Sequence, residues 1–269
     1  RPDAAPYSAG RVTPCRSLKM FTLSLIGIGS GNPKHLTLQA IDALNACDVI
    51  LIPSKGAGKD DLAGLRHAIC AQVLRSDGPE IHEFTLPKRD AANPDYHAGV
   101  HDWHDAIAQV WLAEMQRTLP QGGRVGFLVW GDPSLYDSTL RIAERLQKVV
   151  TLTVDVVPGI TSLQVLTAGH AIPLNTIGNP VTITTGRQLR DHGWPQGVDT
   201  IAVMLDGTCA FEVLRQHSDV HIWWTAYAGM PNERRIAGPL DQICDRIIAT
   251  RAEARAAHGW IMDIYLLRR

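Results

Sequence analysis

Several groups of residues in this 269-residue chain are of types that bind or transform small molecules. The most compact is the turn Gly131-Asp132-Pro133, which stops the apolar run Val125 to Trp130 and leads into Leu135 and Tyr136. An acid and a glycine at the end of a buried strand, between the partly polar rings of Trp130 and Tyr136, suit the wall of a ligand site. The plain alternative is a strand end broken by a common turn. Val156 to Ser162 repeats the pattern, because Pro158-Gly159 ends another strand and Thr161 and Ser162 stand where a helix begins. Hydroxyls and free N–H groups there either cap the helix or hold an anion. Gly27, Gly29 and Gly31 follow a third strand and invite a dinucleotide reading. That reading needs an acid at the end of the next strand to hold a ribose, and the place is taken by Pro53, Ser54 and Lys55, so a nicotinamide cofactor is not expected.

Other residues offer weaker chemistry. His97, His101 and His104 share one helical face and could ligate a metal, with Asp102 and Asp105 behind them. No cysteine joins them, and a solvated or pocket-lining role is the simpler reading, so no metal is expected. Lys55, Lys59, Arg66, Lys88, Arg89, Arg187, Arg190, Arg234 and Arg235 fall mostly in expected loops. Each alone is a solvated charge; together they suit a substrate with several carboxylates.

The elements that must carry these groups follow from the apolar pattern. Strands are expected over 21–28, 49–52, 81–84, 125–130 and 152–157, with helices over 36–44, 62–74, 96–118 and 140–148 between them. The strands are mostly continuous apolar runs, which implies an α/β unit whose parallel five-stranded sheet is covered by helices on both faces. Beyond Thr161 the pattern changes. A helix over 161–171 precedes strands at 181–185, 200–205, 222–229 and 261–267, with helices near 210–216 and 240–258 and a short extra strand at 234–236. Alternation in VTITT points to a mixed sheet here. The expected division is a disordered extension over 1–19, an N-terminal α/β domain over 20–164 and a C-terminal α/β domain over 165–269, with the site in the cleft between the two.

Composition narrows the function classes. With 26 Lys+Arg against 27 Asp+Glu, the chain lacks the basic excess of a nucleic-acid binder. Five cysteines, without any C-x-x-C pair, argue for a reduced, cytoplasmic protein. No apolar run reaches the roughly 18 residues of a membrane span.

Taken together, GIGSGNPKHLTLQAI, WGDPSLYDS, VVPGITS, TIAVML and AYAGMPNERRIAGPL stand in the order and spacing of the tetrapyrrole (corrin/porphyrin) methylases, and the chain resembles that family from Met20 to Arg269. The resemblance implies a class III methyltransferase fold, S-adenosylmethionine as cofactor with S-adenosylhomocysteine as product, a small-molecule tetrapyrrole substrate and a homodimer. Carried over by position, the family's cofactor contacts fall on Ser30, Trp130, Gly131, Asp132, Leu135, Tyr136, Thr161, Ser162, Met204 or Leu205, Tyr227, Ala228 and Gly229. Where many relatives read GxGPGD, this chain has Ser30 for the proline and Asn32 for the acid. The branch resembled most methylates carbon 1 of precorrin-5 in cobalamin biosynthesis and releases the carbon-20 acetyl group as acetate. For that release Asp137, His101, His104 and Tyr136 are candidates, and none is singled out. A methylase of precorrin-2 or precorrin-4, or a tetrapyrrole carrier without chemistry, are the alternatives.

Overall fold

The computed structural model describes residues 20–54, 61–87 and 96–269, without the side chains of 61 and 96–99. The extension over 1–19, Lys55, Lys59, Lys88, Arg89 and the His97 side chain therefore lie outside the described residues.

Strands β1 (Phe21–Gly27), β2 (Val49–Ser54), β3 (Glu80–Thr85), β4 (Gly123–Val129) and β5 (Leu152–Val157) form one sheet in the order β3-β2-β4-β1-β5, every neighbouring pair parallel. Helices α1 (Leu38–Asn45), α2 (Asp61–Val73), α3 (Tyr96–Thr118) and α4 (Thr139–Leu146) supply the crossovers. Strands β2 and β4 hold the apolar runs 49–52 and 125–129, and β1 is apolar but for Thr22 and Ser24, because both faces of these strands are largely buried. On one face Leu23, Val125 and Phe127 pack with Ile107, Trp111 and Ile142 from α3 and α4, and the Trp111 ring stacks on Phe127 at 4.1 Å. On the other, Ile26, Ile50 and Leu128 meet Ala40 and Leu44 of α1 and Ile69 of α2.

The second sheet holds β6 (Val181–Thr185), β7 (Thr200–Met204), β8 (His221–Ala226), β9 (Arg234–Pro239) and β10 (Asp263–Arg268), in the order β6-β7-β10-β8-β9. Only β6 and β7 run parallel, so this sheet is mixed, as the alternation implied. Helix α5 (Ser162–His170) covers one face through Leu163 and Leu166. Helices α6 (Gly186–His192) and α7 (Leu240–His258) cover the other, around Trp224, Tyr227 and Tyr265.

Several details differ from the sequence reading, among them the strand expected over 222–229, which ends at Ala226, and the one expected over 261–267, which begins at Asp263. Helix α6 was hidden in the polar stretch GRQLRDH; its first turn is capped by Thr185. The segment near 210 is a 3₁₀ turn over Ala210–Leu214. Strand β7 stops at Met204 because Leu205 adopts φ 52°, the left-handed region that ends a strand.

Candidate active site

The carboxyl ends of β1, β4 and β5 face the second sheet across a cavity of about 720 Å³. From the first sheet it is walled by Ser30, by Trp130 to Asp132 and Leu135 to Asp137 after β4, and by Thr161 and Ser162 after β5. From the second come Met204 to Gly207 after β7, Ala228 and Met230 after β8, Arg251 and Arg255 of α7, and the 259–264 segment entering β10. Ligands of open parallel sheets bind at this end, where adjacent loops diverge.

The register of the central strands builds the near wall. Gly27 of β1 is level with Val129 of β4, so the two following turns meet. The Gly131 N–H donates to the Gly29 carbonyl at 2.8 Å, and the Gly29 N–H returns a bond to Gly131 at 3.3 Å. Asp132 then ties this pair to β5. Its Oδ2 accepts the Gly159 N–H at 2.8 Å, and its Oδ1 accepts the Ser134 N–H at 2.8 Å and the Ser134 hydroxyl at 2.5 Å. A side chain at Gly159 would collide with the Gly131 carbonyl, which is why the Pro-Gly turn can come so close. Burial works to raise the Asp132 carboxyl, but these bonds outweigh it and hold the group below its ordinary value. Asp132 is an anion that joins two turns.

Thr161 caps α5: its hydroxyl oxygen accepts the Leu163 N–H at 3.2 Å while Gln164 reaches back to the Thr161 N–H at 3.0 Å. Tyr136 and Leu205, facing the cavity from opposite sheets, both hold positive φ, 50° and 52°. Such backbone costs about 1–3 kcal/mol per residue and persists where the surroundings impose it, often at ligand sites. The Tyr136 hydroxyl donates across the cleft to the Ile183 carbonyl of β6 at 3.2 Å. Leu205 is two-thirds exposed, an apolar side chain presented to the cavity.

Residues of α7 and β10, none of them anticipated as site residues, make the far wall. Arg251 donates from Nε to Asp263 Oδ2 at 2.9 Å and from Nη2 to the Asp206 carbonyl at 2.8 Å. Asp263 also accepts the Trp224 indole N–H at 2.9 Å, and Asp206 accepts the Tyr265 hydroxyl at 2.7 Å and the Ala210 N–H at 2.6 Å. Burial pushes the Asp263 carboxyl up while Arg251 and Trp224 pull it down, with burial winning. The segment HGWIMDI was the available signal, because apolar Trp260 and Met262 directly precede the last strand.

Eleven of the thirteen residues expected at the cofactor line this cavity, namely Ser30, Trp130, Gly131, Asp132, Leu135, Tyr136, Thr161, Ser162, Met204, Leu205 and Ala228. Tyr227 does not: its ring is buried in the second core, and its hydroxyl donates to the Trp260 carbonyl at 2.6 Å, fixing the 260 segment from behind. Gly229 faces a separate cavity on the other side of the glycine turn. Asp137 lines the cleft, whereas His101 and His104 sit on α3 away from it. His101 Nδ1 lies 2.9 Å from Arg145, and His104 is buried with Nε2 unpartnered. Among the described residues no three His, Cys, Asp or Glu side chains gather as a metal site. Of the basic residues considered, Arg66 donates to the Leu128 carbonyl at 3.1 Å, Arg190 pairs with Asp191 and Arg235 with Glu233. The cations that line the cavity are instead Arg251 and Arg255. Among the described residues, no helix is long and apolar enough to cross a membrane.

The sequence profile of the Tetrapyrrole (Corrin/Porphyrin) Methylases matches residues 22–244, which include both strand-end turns and the 204–230 loops of this cavity. The chain belongs to the tetrapyrrole methylases. This methylase is 49% identical over 252 residues to a precorrin-6A synthase (deacetylating) of Sinorhizobium sp., covering 93% of this chain and 96% of that protein. The crystal structure of a cobalamin-synthesis-related protein, CobF, from Corynebacterium diphtheriae superposes with a TM-score of 0.78 at 38% identity, covering 93% of this chain and 98% of that one. A uroporphyrin-III C-methyltransferase of Thermus thermophilus, solved with S-adenosyl homocysteine, shares the fold at a TM-score of 0.57 and 19% identity, over 92% and 97% of the two chains.

Proposed function

We propose that this methylase is a precorrin-6A synthase: it transfers a methyl group from S-adenosylmethionine to carbon 1 of precorrin-5 and releases the carbon-20 acetyl group as acetate. The observation that carries this reading is the 49% identity to a deacetylating precorrin-6A synthase over almost the whole of both chains. The cavity fits the cofactor. At about 720 Å³ it is of the usual size for a small-molecule site, and it combines apolar walls such as Trp130, Leu135, Met204 and Leu205 with hydroxyl and charged groups. At Gly131 an added Cβ would meet nothing nearer than the Thr161 Cα at 3.8 Å, so the backbone there opens directly onto the cleft.

When bound, S-adenosylmethionine supplies an electrophilic methyl on its sulfonium. The chain's own task is to align donor and acceptor, because a one-step displacement gains mainly from reacting atoms held about 3 Å apart and in line. In this reading Trp130, Gly131, Asp132, Leu135, Tyr136, Thr161 and Ser162 hold the cofactor from one side. Met204, Leu205 and Ala228 hold it from the other, with Ser30 at the glycine turn and with Gly229 and Tyr227 shaping the last loop. Asp132 also fixes the two turns to each other through its bonds to Ser134 and Gly159. Arg255, exposed at the rim, is placed to pair with a substrate carboxylate. We also read the two sheets as two domains dividing near residue 164, and the working form as a cytoplasmic homodimer, which light scattering of the purified protein tests.

The deciding experiment incubates the protein with precorrin-5 and S-adenosylmethionine. Acetate and S-adenosylhomocysteine should appear in equal amounts. A methylated product that retains its acetyl group would sink the deacetylase assignment and leave the methylase one.

A further inference from the structure

Releasing an acetyl group as acetate requires a base to take a proton from water, and that base must open onto the cleft in which the methyl group is transferred. Among the described residues, four carboxylates line this cleft, those of Asp132, Asp137, Asp206 and Asp263. Three of them accept hydrogen bonds on both oxygens. Asp132 holds Ser134 and Gly159. Asp206 accepts the Thr208 N–H at 2.9 Å on Oδ1, and the Ala210 N–H and the Tyr265 hydroxyl on Oδ2. Asp263 holds Arg251 through both oxygens and the Trp224 indole through Oδ2. Burial pushes the Tyr136 phenol up, away from the range of a base, and its hydroxyl donates across the cleft to Ile183. His101 and His104 stand on α3, outside the cleft lining.

Asp137 differs from the other three. Where the chain turns into α4, its Oδ1 alone accepts the Thr139 N–H at 2.7 Å and the Thr139 hydroxyl at 2.5 Å, which holds the carboxyl group in one orientation. That turn accounts for one oxygen. Oδ2 accepts no hydrogen bond from any described residue, and Asp137 is only half-buried. Because Asp137 belongs to the cleft wall and directly follows Tyr136, a water in the cleft reaches it without crossing any backbone. Charge draws a carboxylate-rich substrate to the same side. The exposed Arg141 donates to the Asp137 carbonyl at 2.8 Å, and Arg66, bonded through Nε to the Leu128 carbonyl at 3.1 Å, interacts electrostatically with the Asp137 carboxylate. Two guanidinium groups around one carboxylate suit a macrocycle that carries several of its own.

We propose that Asp137 is the general base that releases the acetyl group. This rests on the precorrin-deacetylation reading above. Asp137 Oδ2 takes one proton of a water molecule as the water oxygen bonds to the acetyl carbonyl carbon. The tetrahedral adduct collapses by breaking the carbon–carbon bond to the macrocycle, and acetic acid departs. The electron pair of that bond enters the conjugated ring, which uses it to bond the methyl group as the methyl–sulfur bond breaks. The proton on Asp137 and the acid proton of acetic acid pass to solvent, leaving acetate and a carboxylate restored for the next turnover. With base and methyl donor in one cleft, the electron pair set free in the first step serves the second.

The test uses the full chain with Asp137→Asn and Asp137→Ala, following acetate release from precorrin-5 in the presence of S-adenosylmethionine, and S-adenosylhomocysteine binding by calorimetry. Asparagine keeps an oxygen for Thr139 and removes only the proton acceptor, whereas alanine leaves space for a small carboxylate. Loss of a general base lowers the rate by about 10²–10⁴-fold, and that fall is expected in acetate release for both variants, with cofactor affinity as in the wild type. Added formate should restore part of the rate in Asp137→Ala and none in Asp137→Asn. Acetate release by Asp137→Asn at the wild-type rate overturns the proposal, because it leaves Asp137 only its turn with Thr139. So does a slowed Asp137→Ala that formate does not accelerate, or a slowed Asp137→Asn with weakened cofactor binding, the mark of a purely structural role. If circular dichroism shows Asp137→Ala unfolded, Asp137→Asn decides alone. Wild-type protein that methylates without releasing acetate defeats the deacetylase reading and this inference together, whereas normal wild-type release with an unaffected Asp137→Asn defeats the inference alone.

Discussion

Asp132→Asn is the most informative single change, because it separates the charge of this residue from its shape. The carboxylate accepts three hydrogen bonds on two oxygens, at 2.8 Å from Gly159, 2.8 Å from the Ser134 N–H and 2.5 Å from the Ser134 hydroxyl. An amide keeps one acceptor oxygen and turns an NH₂ toward the remaining backbone donor, so either Gly159 or Ser134 loses its acceptor. Hydrogen bonds to charged groups contribute about 1.5–3 kcal/mol each, and with Asp132 only half-buried the lower end applies, about 2 kcal/mol. For a chain of this size that is a fall in Tm of about 4–8 °C. The pH dependence follows from the direction of the shift. The folded carboxyl lies below its ordinary value of 3.8, so its contribution is full above that value and disappears as the pH falls through the folded one. Thermal unfolding of both proteins, followed by circular dichroism from neutral pH down to acid, should therefore show a gap that is constant at neutral pH and closes in acid. Equal midpoints at neutral pH, or a gap that widens on acidification, would refute the view that a charged Asp132 joins the two turns.

Two further outcomes are expected. Arg251→Ala leaves Asp263 buried and unpaired, with side-chain exposures of 10% and 4% for the pair, and should cost about 3–5 kcal/mol in urea unfolding. That deficit should narrow on acidification, because burial already raises the Asp263 carboxyl and a proton taken up by the folded state relieves the stranded charge. His104→Phe removes a buried nitrogen that has no partner and should leave stability unchanged or raise it by about 1 kcal/mol at neutral pH. Burial first, then Arg145, Arg141 and His101, hold the His104 imidazole below its ordinary 6.5. Wild-type stability should thus decline as pH drops below that value, and the phenylalanine variant should lose that part of the decline; identical pH profiles would show the ring to be solvated in solution.

Most of the framework was legible in the chain itself. Short apolar-rich runs bounded by turns, such as FTLSLIG and VGFLV, read as strands, and their alternation with helical periods implies a covered parallel sheet. Gly131-Asp132-Pro133 and Pro158-Gly159 mark strand ends by local turn chemistry alone, and the site was expected there for that reason. What only the folded molecule decided is which distant groups meet. The level ends of β1 and β4 bring Gly29 to Gly131, and that pairing lets Asp132, on the cavity wall, also tie two turns together. Nothing in the sequence singled out Arg251, yet α7 packs so that it is buried against Asp263 at the far wall of the cleft. Packing alone shows that the Tyr227 ring is buried outside the cavity lining and props the 260 segment. His35 drew no notice as one of eleven histidines, and only the approach of the 229 loop buries its Nδ1. Local pattern reports what a residue does to its own backbone. Burial, partners and the sharing of a cavity depend on segments some two hundred residues apart, as with Ser30 and Ala228 at a separation of 198, and only packing brings those together.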